Sequence, residues 1–94
     1  MYKLRKYHGD RVMSLTHEDD KQAFSVGIIA DGEFEFGAIE DEKYRVTSGE
    51  ISFWEEGMDG FKTFGLNEEF TAHAHKNFKL KANGVSSYIC FYSK

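Results

Sequence analysis

Short runs of alternating or continuous apolar residues follow one another along the whole chain, and turn residues separate them. The clearest runs are FSVGIIA (24–30), EFEF (33–36), YRVT (44–47), EISFW (50–54), FKLKA (78–82) and SSYICFY (86–92). No stretch keeps the apolar stripe of an amphipathic helix. Strand-length runs divided by regular turn signals are typical of an all-β sandwich or barrel. We therefore predict an antiparallel all-β fold with at least eight strands and no long helix.

One turn signal is stronger than the others. Asp31-Gly32 lies between two strand-like runs, and this dipeptide favours the tight turn of a β-hairpin because both central residues of that turn take positive φ. We predict a hairpin there. On its second run, Phe34 and Phe36 share one face, since side chains two apart in a strand point the same way.

The last run, SSYICFY (86–92), is apolar on both faces. Tyr88 and Cys90 share one face with each other, and Ile89 and Phe91 share the opposite face. A strand at a sheet edge or with one solvated face would alternate more cleanly between apolar and polar residues. We predict that this strand runs through the middle of a layer.

The stretch FTAHAHKNF (70–78) carries two histidines, His73 and His75, and is the first candidate for a metal or catalytic site. We predict a strand, a turn at the histidines and a second strand. Three apolar residues of these strands are expected to face the core: Phe70, Phe78 and Leu80. The histidines would then lie at the turn near a pocket mouth.

Composition narrows the function classes. The 94 residues suit a single domain spanning 1–94, and the formal net charge of −4 argues against a nucleic-acid partner, which needs a basic surface. Cys90 is the one cysteine, so no intrachain disulfide forms, as expected in a reducing compartment. No signal-peptide or membrane-spanning run is present in the sequence. We expect a cytoplasmic protein without a membrane or nucleic-acid partner.

Several short motifs resemble the pyrimidine/purine nucleoside phosphorylase family. The most specific are Ser25-Val26-Gly27, Gly32-Glu33, Ser48-Gly49 and Ser87-Tyr88 with Cys90. The likeness runs along nearly the whole chain. It implies a single-domain cupin-type jelly-roll barrel of antiparallel strands, assembled as a homodimer. It also implies phosphorolysis of purine and pyrimidine nucleosides to free base and ribose 1-phosphate, without a cofactor. The expected partners are therefore a nucleoside and inorganic phosphate.

The same resemblance suggests which residues carry the reaction. His75 is the candidate for holding phosphate, Tyr88 for donating a hydrogen bond to phosphate or base, and Glu33 for holding the ribose. Four further positions are expected to contact substrate: Ser25, Gly27, Ser48 and Arg11. Each position also has a purely structural explanation, as a turn, a β-bulge, a core tyrosine or an exposed hairpin residue.

Metal-binding cupins carry a His-x-His pair and a glutamate in one motif and another histidine in a second motif. Here Glu42 occupies the glutamate position, no histidine precedes it in that motif, and Phe78 occupies the second histidine position. We predict no metal. Two alternatives stay open at this point. One is a non-catalytic cupin that binds a small nucleoside or sugar, having lost the family's Pro-Gly turn, where His73-Ala74 stands. The other is a metal-dependent cupin enzyme using His73 and His75.

Overall fold

The computed structural model describes residues 2–92, and this range contains ten strands and no helix. Every paired strand is antiparallel to its neighbour. The prediction of an antiparallel all-β fold with at least eight strands is therefore confirmed. The strands are β1 (Tyr2–Tyr7), β2 (Val12–Glu18), β3 (Ala23–Ile29), β4 (Gly32–Gly37), β5 (Glu42–Ser48), β6 (Ile51–Glu55), β7 (Lys62–Phe64), β8 (Glu69–Ala72), β9 (Asn77–Ala82) and β10 (Ser86–Tyr92).

The strands form two sheets. One has six strands in the order β1-β2-β3-β10-β5-β8, and the other has four in the order β4-β9-β6-β7. Alternate residues of both sheets point between them and make the core, as the period of a strand requires. The largest fully buried apolar side chains are Phe78, Ile29, Ile51, Leu80, Val12 and Val46. No helix of the described residues has the length and apolar character needed to cross a membrane.

The last strand, β10, lies inside the six-stranded sheet between β3 and β5. Tyr88 and Cys90 are buried on its inner face, and Ile89 on its outer face is half-buried. The prediction that this strand runs through the middle of a layer is confirmed. Its two apolar faces reflect a packed core on one side and an apolar outer surface on the other.

The predicted hairpin at Asp31-Gly32 is wrong. β3 pairs with β2 and β10, so both of its edges are occupied, and β4 instead pairs with β9 in the other sheet. The turn therefore connects two sheets. Gly32 has φ +137°, a backbone conformation that glycine adopts far more readily than other residues. The Asp31 carboxylate accepts a hydrogen bond from the backbone N–H of Gly84 at 2.7 Å, which ties this turn to the neighbouring one.

The stretch 70–78 is a strand, a turn and a strand, as predicted, with β8 ending at Ala72 and β9 beginning at Asn77. The three residues expected to face the core are buried: Phe70, Phe78 and Leu80. His75 has φ +67° in the turn between these strands, a left-handed conformation that few side chains adopt. The prediction for this stretch is confirmed in its strands, its turn and its core residues.

Candidate functional site

A cavity of about 240 Å³ opens between the two sheets. Aromatic rings and polar groups form its wall, and its lining residues are Tyr7, Ser14, Phe36, Gly37, Glu42, Tyr44, Phe78, Tyr88 and Tyr92. A wider pocket of about 420 Å³ shares four of these residues and adds Arg5, Glu18 and Glu40. We call the first the inner cavity and the second its mouth. Apolar walls with a few convergent polar groups are typical of small-molecule sites.

Glu42 supplies the carboxylate of this site. It begins β5 and lines both the inner cavity and the mouth. Its Oε1 accepts a hydrogen bond from the hydroxyl of Tyr44 at 2.8 Å. Burial raises the pKa of Glu42 above its ordinary value, and the nearby Glu40 carboxylate adds to that rise. A half-buried carboxylate held by a tyrosine in a cavity is a group able to act on a polar substrate.

Ser25 lies behind the cavity wall. Its Oγ is 2.7 Å from Oγ1 of Thr16 and 2.6 Å from the hydroxyl of Tyr92, which does line the cavity. Ser25 is buried, and burial raises the pKa of Tyr92 to about 12. These hydrogen bonds between the hydroxyls of Thr16, Ser25 and Tyr92 hold the Tyr92 ring in place, so Ser25 positions a residue of the cavity wall.

Gly27 lies beneath the ring of Tyr88. The two residues are directly opposite each other on β3 and β10, and a Cβ atom at Gly27 would collide with the phenol of Tyr88. The glycine predicted to allow close approach of a ligand therefore allows close approach of this tyrosine. Tyr88 itself lines the inner cavity, as a candidate substrate contact should.

Glu33 and Ser48 lie elsewhere. Glu33 is exposed on β4, and its Oε2 is 4.0 Å from Nζ of Lys79. Ser48 is exposed, and its Oγ is 2.6 Å from Oγ of Ser87. Neither residue lines the inner cavity or its mouth.

Arg11 and His75 are also exposed and line neither space. The backbone carbonyl of Arg11 accepts from the N–H of Ala30 at 2.8 Å, and the N–H of His75 donates to the carbonyl of Ala38 at 2.8 Å. Of the seven predicted site residues, Tyr88 lines the cavity, and Gly27 and Ser25 lie behind its wall, against Tyr88 and Tyr92. The functional roles predicted for the other four residues stay predictions.

His73 contacts a carboxylate instead of a second histidine. Its Nδ1 lies 3.0 Å from Oε2 of Glu55, and its backbone N–H donates to Oε1 of the same residue at 2.6 Å. Glu55 is buried, so this pair fastens the 73–75 turn to the end of β6. Within residues 2–92, no three His, Cys, Asp or Glu side chains are grouped as a metal site requires. The metal-dependent alternative therefore has no ligand set in that range.

Sequence reasoning missed most of the cavity wall. Glu42 was considered only because it occupies the position of the metal-binding glutamate of cupins. Arg5, Tyr44 and Tyr92 were not predicted as site residues. One signal was available for Tyr92, because alternation places it on the same face of β10 as Tyr88. The others depend on how distant strands pair, which local patterns do not specify.

The comparisons with known proteins agree with this architecture. The family model described as pyrimidine/purine nucleoside phosphorylase matches residues 2–92. A protein of that name from Marinobacter nauticus is 32% identical over 92 residues, covering 98% of this chain and 99% of its own length. Another from Alcanivorax borkumensis is 30% identical over 94 residues, covering all of both chains.

Solved structures give the same fold. A protein of unknown function from Vibrio parahaemolyticus superposes with a TM-score of 0.93 at 27% identity, covering 99% of both chains. A cupin superfamily protein from Desulfitobacterium hafniense has a TM-score of 0.73 at 19% identity, covering 96% of this chain and 81% of its own. The two packed antiparallel sheets are thus a cupin-type jelly roll, and the chain belongs to the pyrimidine/purine nucleoside phosphorylase family.

Proposed function

We propose that this protein is a nucleoside phosphorylase that transfers the ribosyl group of purine and pyrimidine nucleosides to inorganic phosphate. The observation that carries the proposal is the half-buried Glu42 carboxylate in the wall of the inner cavity, held by Tyr44 at 2.8 Å. Family membership supports the reaction class, and the cavity supplies the groups the reaction needs. The products are free base and ribose 1-phosphate.

The chemistry breaks the bond between C1′ of the ribose and the base nitrogen, and a phosphate oxygen bonds to C1′. The proton of hydrogen phosphate ends on the departing base, so atoms and charge balance. Positive charge develops on the ribosyl ring as the bond breaks. A half-buried carboxylate stabilises such charge more strongly than the same group in bulk solvent.

Each part of the cavity wall has a role in this reaction. Glu42 faces the ribose, where its carboxylate accepts hydrogen bonds from sugar hydroxyls and stabilises the developing charge. Tyr44 holds that carboxylate in place by its 2.8 Å hydrogen bond. The base packs against the aromatic rings of Phe36 and Tyr7, which meet edge to face with centroids 5.8 Å apart.

The test is an assay of the purified protein with one purine and one pyrimidine nucleoside, following ribose 1-phosphate. We expect product from both nucleosides, and only when inorganic phosphate is present. Nucleoside binding without turnover would support the non-catalytic alternative. Turnover that a chelator abolishes and added metal restores would support the metal-dependent alternative.

We further propose that the protein forms a two-fold symmetric homodimer through the outer face of the six-stranded sheet. Apolar residues on this face line a groove of about 480 Å³ that is almost free of polar surface: Leu4, Met13, Leu15, Val26, Ile28 and Ile89. Contiguous apolar patches of this kind mark interaction sites on soluble proteins. An uncharged patch is self-complementary, so a two-fold axis lets the same residues of two copies pack together.

Replacing Ile28 by lysine should give a monomer, because this side chain is 58% exposed on the outer face and the new charge would be buried in the dimer. Light scattering at micromolar protein measures the mass. Leu66→Lys is the matched control, since Leu66 is 64% exposed in the loop after β7, does not line the groove and should leave the dimer unchanged. A wild-type monomer, or a dimer that survives Ile28→Lys, would refute the proposed interface.

A further inference from the structure

Four residues form one row across the inner face of the six-stranded sheet. In the strand register Arg5 of β1 is opposite Ser14 of β2, Ser14 is opposite Gly27 of β3, and Gly27 is opposite Tyr88 of β10. Ser14 and Tyr88 are buried on the inner side and line the inner cavity, and Arg5 lines its mouth. The row therefore runs from the mouth into the cavity.

The hydroxyls of this row differ from those of the row beside it. In the neighbouring row Thr16 of β2 is opposite Ser25 of β3. The Ser25 hydroxyl lies 2.7 Å from that of Thr16 and 2.6 Å from that of Tyr92, which is two residues beyond this row on β10. Within residues 2–92, the hydroxyls of Ser14 and Tyr88 have no hydrogen-bond partner in the protein, and no completely buried side-chain polar atom lacks one. These two hydroxyls thus remain accessible from the cavity and available to a ligand.

The position of the Tyr88 hydroxyl follows from Gly27. The phenol lies over the glycine, so closely that any Cβ there would collide with it. The ring thus reaches from β10 across β3 towards β2, on which Ser14 lies. Burial raises the pKa of Tyr88, so the group keeps its proton and donates. The two hydroxyls therefore offer donors to one part of the cavity.

Arg5 supplies positive charge at the end of the row. Directly opposed residues in antiparallel strands have Cα atoms about 4.5–5.5 Å apart, so a guanidinium on β1 can reach a ligand beside Ser14. Arg45 on the outer surface, by contrast, is paired with Glu69 at 2.7 Å. No carboxylate of the described residues forms a salt bridge with Arg5 within 4.0 Å. Its guanidinium remains available to an anion.

Carboxylates also line the mouth, and their negative charge affects which ligands can bind there. Glu18 and Glu40 lie around the same opening as Arg5, and Glu42 lies further in. A free anion alone would be repelled by these groups. A ribose carries hydroxyls that donate to carboxylates, whereas phosphate needs N–H and O–H donors. The mouth and cavity thus separate into an acidic part for sugar and a donor row for phosphate.

We propose that Arg5, Ser14 and Tyr88 form the phosphate subsite, and that Gly27, without a side chain, lets the Tyr88 phenol lie over β3. This inference rests on the proposed function, because phosphate is there the second substrate. Arg5 contributes charge and the two N–H groups of a bidentate contact, and the hydroxyls bond the remaining phosphate oxygens. These residues take the place of Arg11 and His75, which lie outside the cavity.

The test compares Arg5→Gln, Ser14→Ala and Tyr88→Phe in assays that vary phosphate and nucleoside separately. We expect Arg5→Gln to raise KM for phosphate about 10- to 100-fold, as for the loss of a charge-assisted hydrogen bond. Each hydroxyl variant should raise it roughly 2- to 10-fold, and KM for nucleoside should stay within about 2-fold. Arg5→Lys should restore part of the phosphate affinity. Arg11→Gln tests the arginine that the sequence suggested as a substrate contact, and we expect it to behave as wild type because Arg11 lines neither the cavity nor its mouth.

Titration of the same proteins with inorganic phosphate, without nucleoside, gives a readout independent of turnover. If the wild type binds phosphate and turns over nothing, the proposed function fails. Loss of binding in Arg5→Gln but not in Arg11→Gln would still support the subsite. The subsite is overturned if Arg5→Gln leaves both KM for phosphate and phosphate binding unchanged. It is also overturned if the variants raise KM for nucleoside alone, or if a wild type without turnover takes up no phosphate.

Discussion

Replacing Glu42 by glutamine is expected to lower kcat for phosphorolysis by about 10²- to 10³-fold, the usual cost of removing one group aimed at transition-state charge. Glutamine keeps the size of the side chain and an oxygen that accepts the Tyr44 hydroxyl, so the cavity keeps its shape. It removes the negative charge that stabilises the ribosyl centre in the proposed reaction. Steady-state kinetics with saturating phosphate measures the loss.

Glu33→Gln is the matched control, because Glu33 is an exposed glutamate outside the cavity. It should retain wild-type kcat. Loss of activity in Glu33→Gln with normal activity in Glu42→Gln would overturn the assignment of the catalytic carboxylate. Circular dichroism of both variants should match the wild type.

The pH dependence of stability and of activity gives a second test of the role of Glu42. Its pKa is raised above 4.5 by burial, so the folded protein binds its proton more tightly than the unfolded chain does. The contribution of the protonated Glu42 to the free energy of unfolding is full at low pH, and it is lost as pH rises through the raised pKa. In the proposed reaction the ionised carboxylate of Glu42 is the active form. The fall of activity at acid pH should therefore lie above pH 4.5 and be absent in Glu42→Gln. That variant should also be more stable than wild type at neutral pH.

Phe78→Ala is expected to lower the free energy of unfolding by about 3–5 kcal/mol, as for other large buried aromatic residues. Phe78 is 1% exposed, and its ring centroid lies 5.5 Å from that of Phe36 and 6.1 Å from those of Tyr44 and Phe53. Truncation leaves a cavity between the sheets that neighbouring rings cannot fill without leaving their packed positions. A loss of this size is a large part of the roughly 5–15 kcal/mol that stabilises a typical domain.

Urea denaturation at fixed protein concentration measures this loss, because association would make the midpoint depend on concentration. Phe61→Ala is the control, since Phe61 is 39% exposed and its removal should cost far less. Equal destabilisation by the two variants would mean that Phe78 does not hold the sheets together.

Alternation along the sequence predicted the faces of the strands well. It placed Phe70, Phe78 and Leu80 in the core and put Tyr88 and Cys90 on the same face of their strand, and all five are buried. These assignments depend only on the period of a strand, which local sequence specifies. The turn at His73–His75 was predictable for the same reason, because two well-patterned runs flank it.

Strand pairing was not predictable in this way. Asp31-Gly32 has the chemistry of a hairpin turn, yet it joins strands in different sheets, because β2 and β10 occupy both edges of β3. Turn chemistry specifies a local bend and not the sheet that the next strand enters. The row of Arg5, Ser14, Gly27 and Tyr88 depends on four strands and two long-range pairings, so no local motif contains it.

The position of β10 has a consequence for how this protein is made. β1, β2 and β3 follow one another in the chain and pair in that order, so they can associate while the ribosome is still adding residues. The other edge of β3, and the facing edge of β5, are completed only by β10, the last of the strands to be synthesised. During translation the nascent chain therefore has sheet edges with unpaired backbone N–H and C=O groups, which can pair with strands of other chains. Completion of the six-stranded sheet is deferred until β10 has left the ribosome.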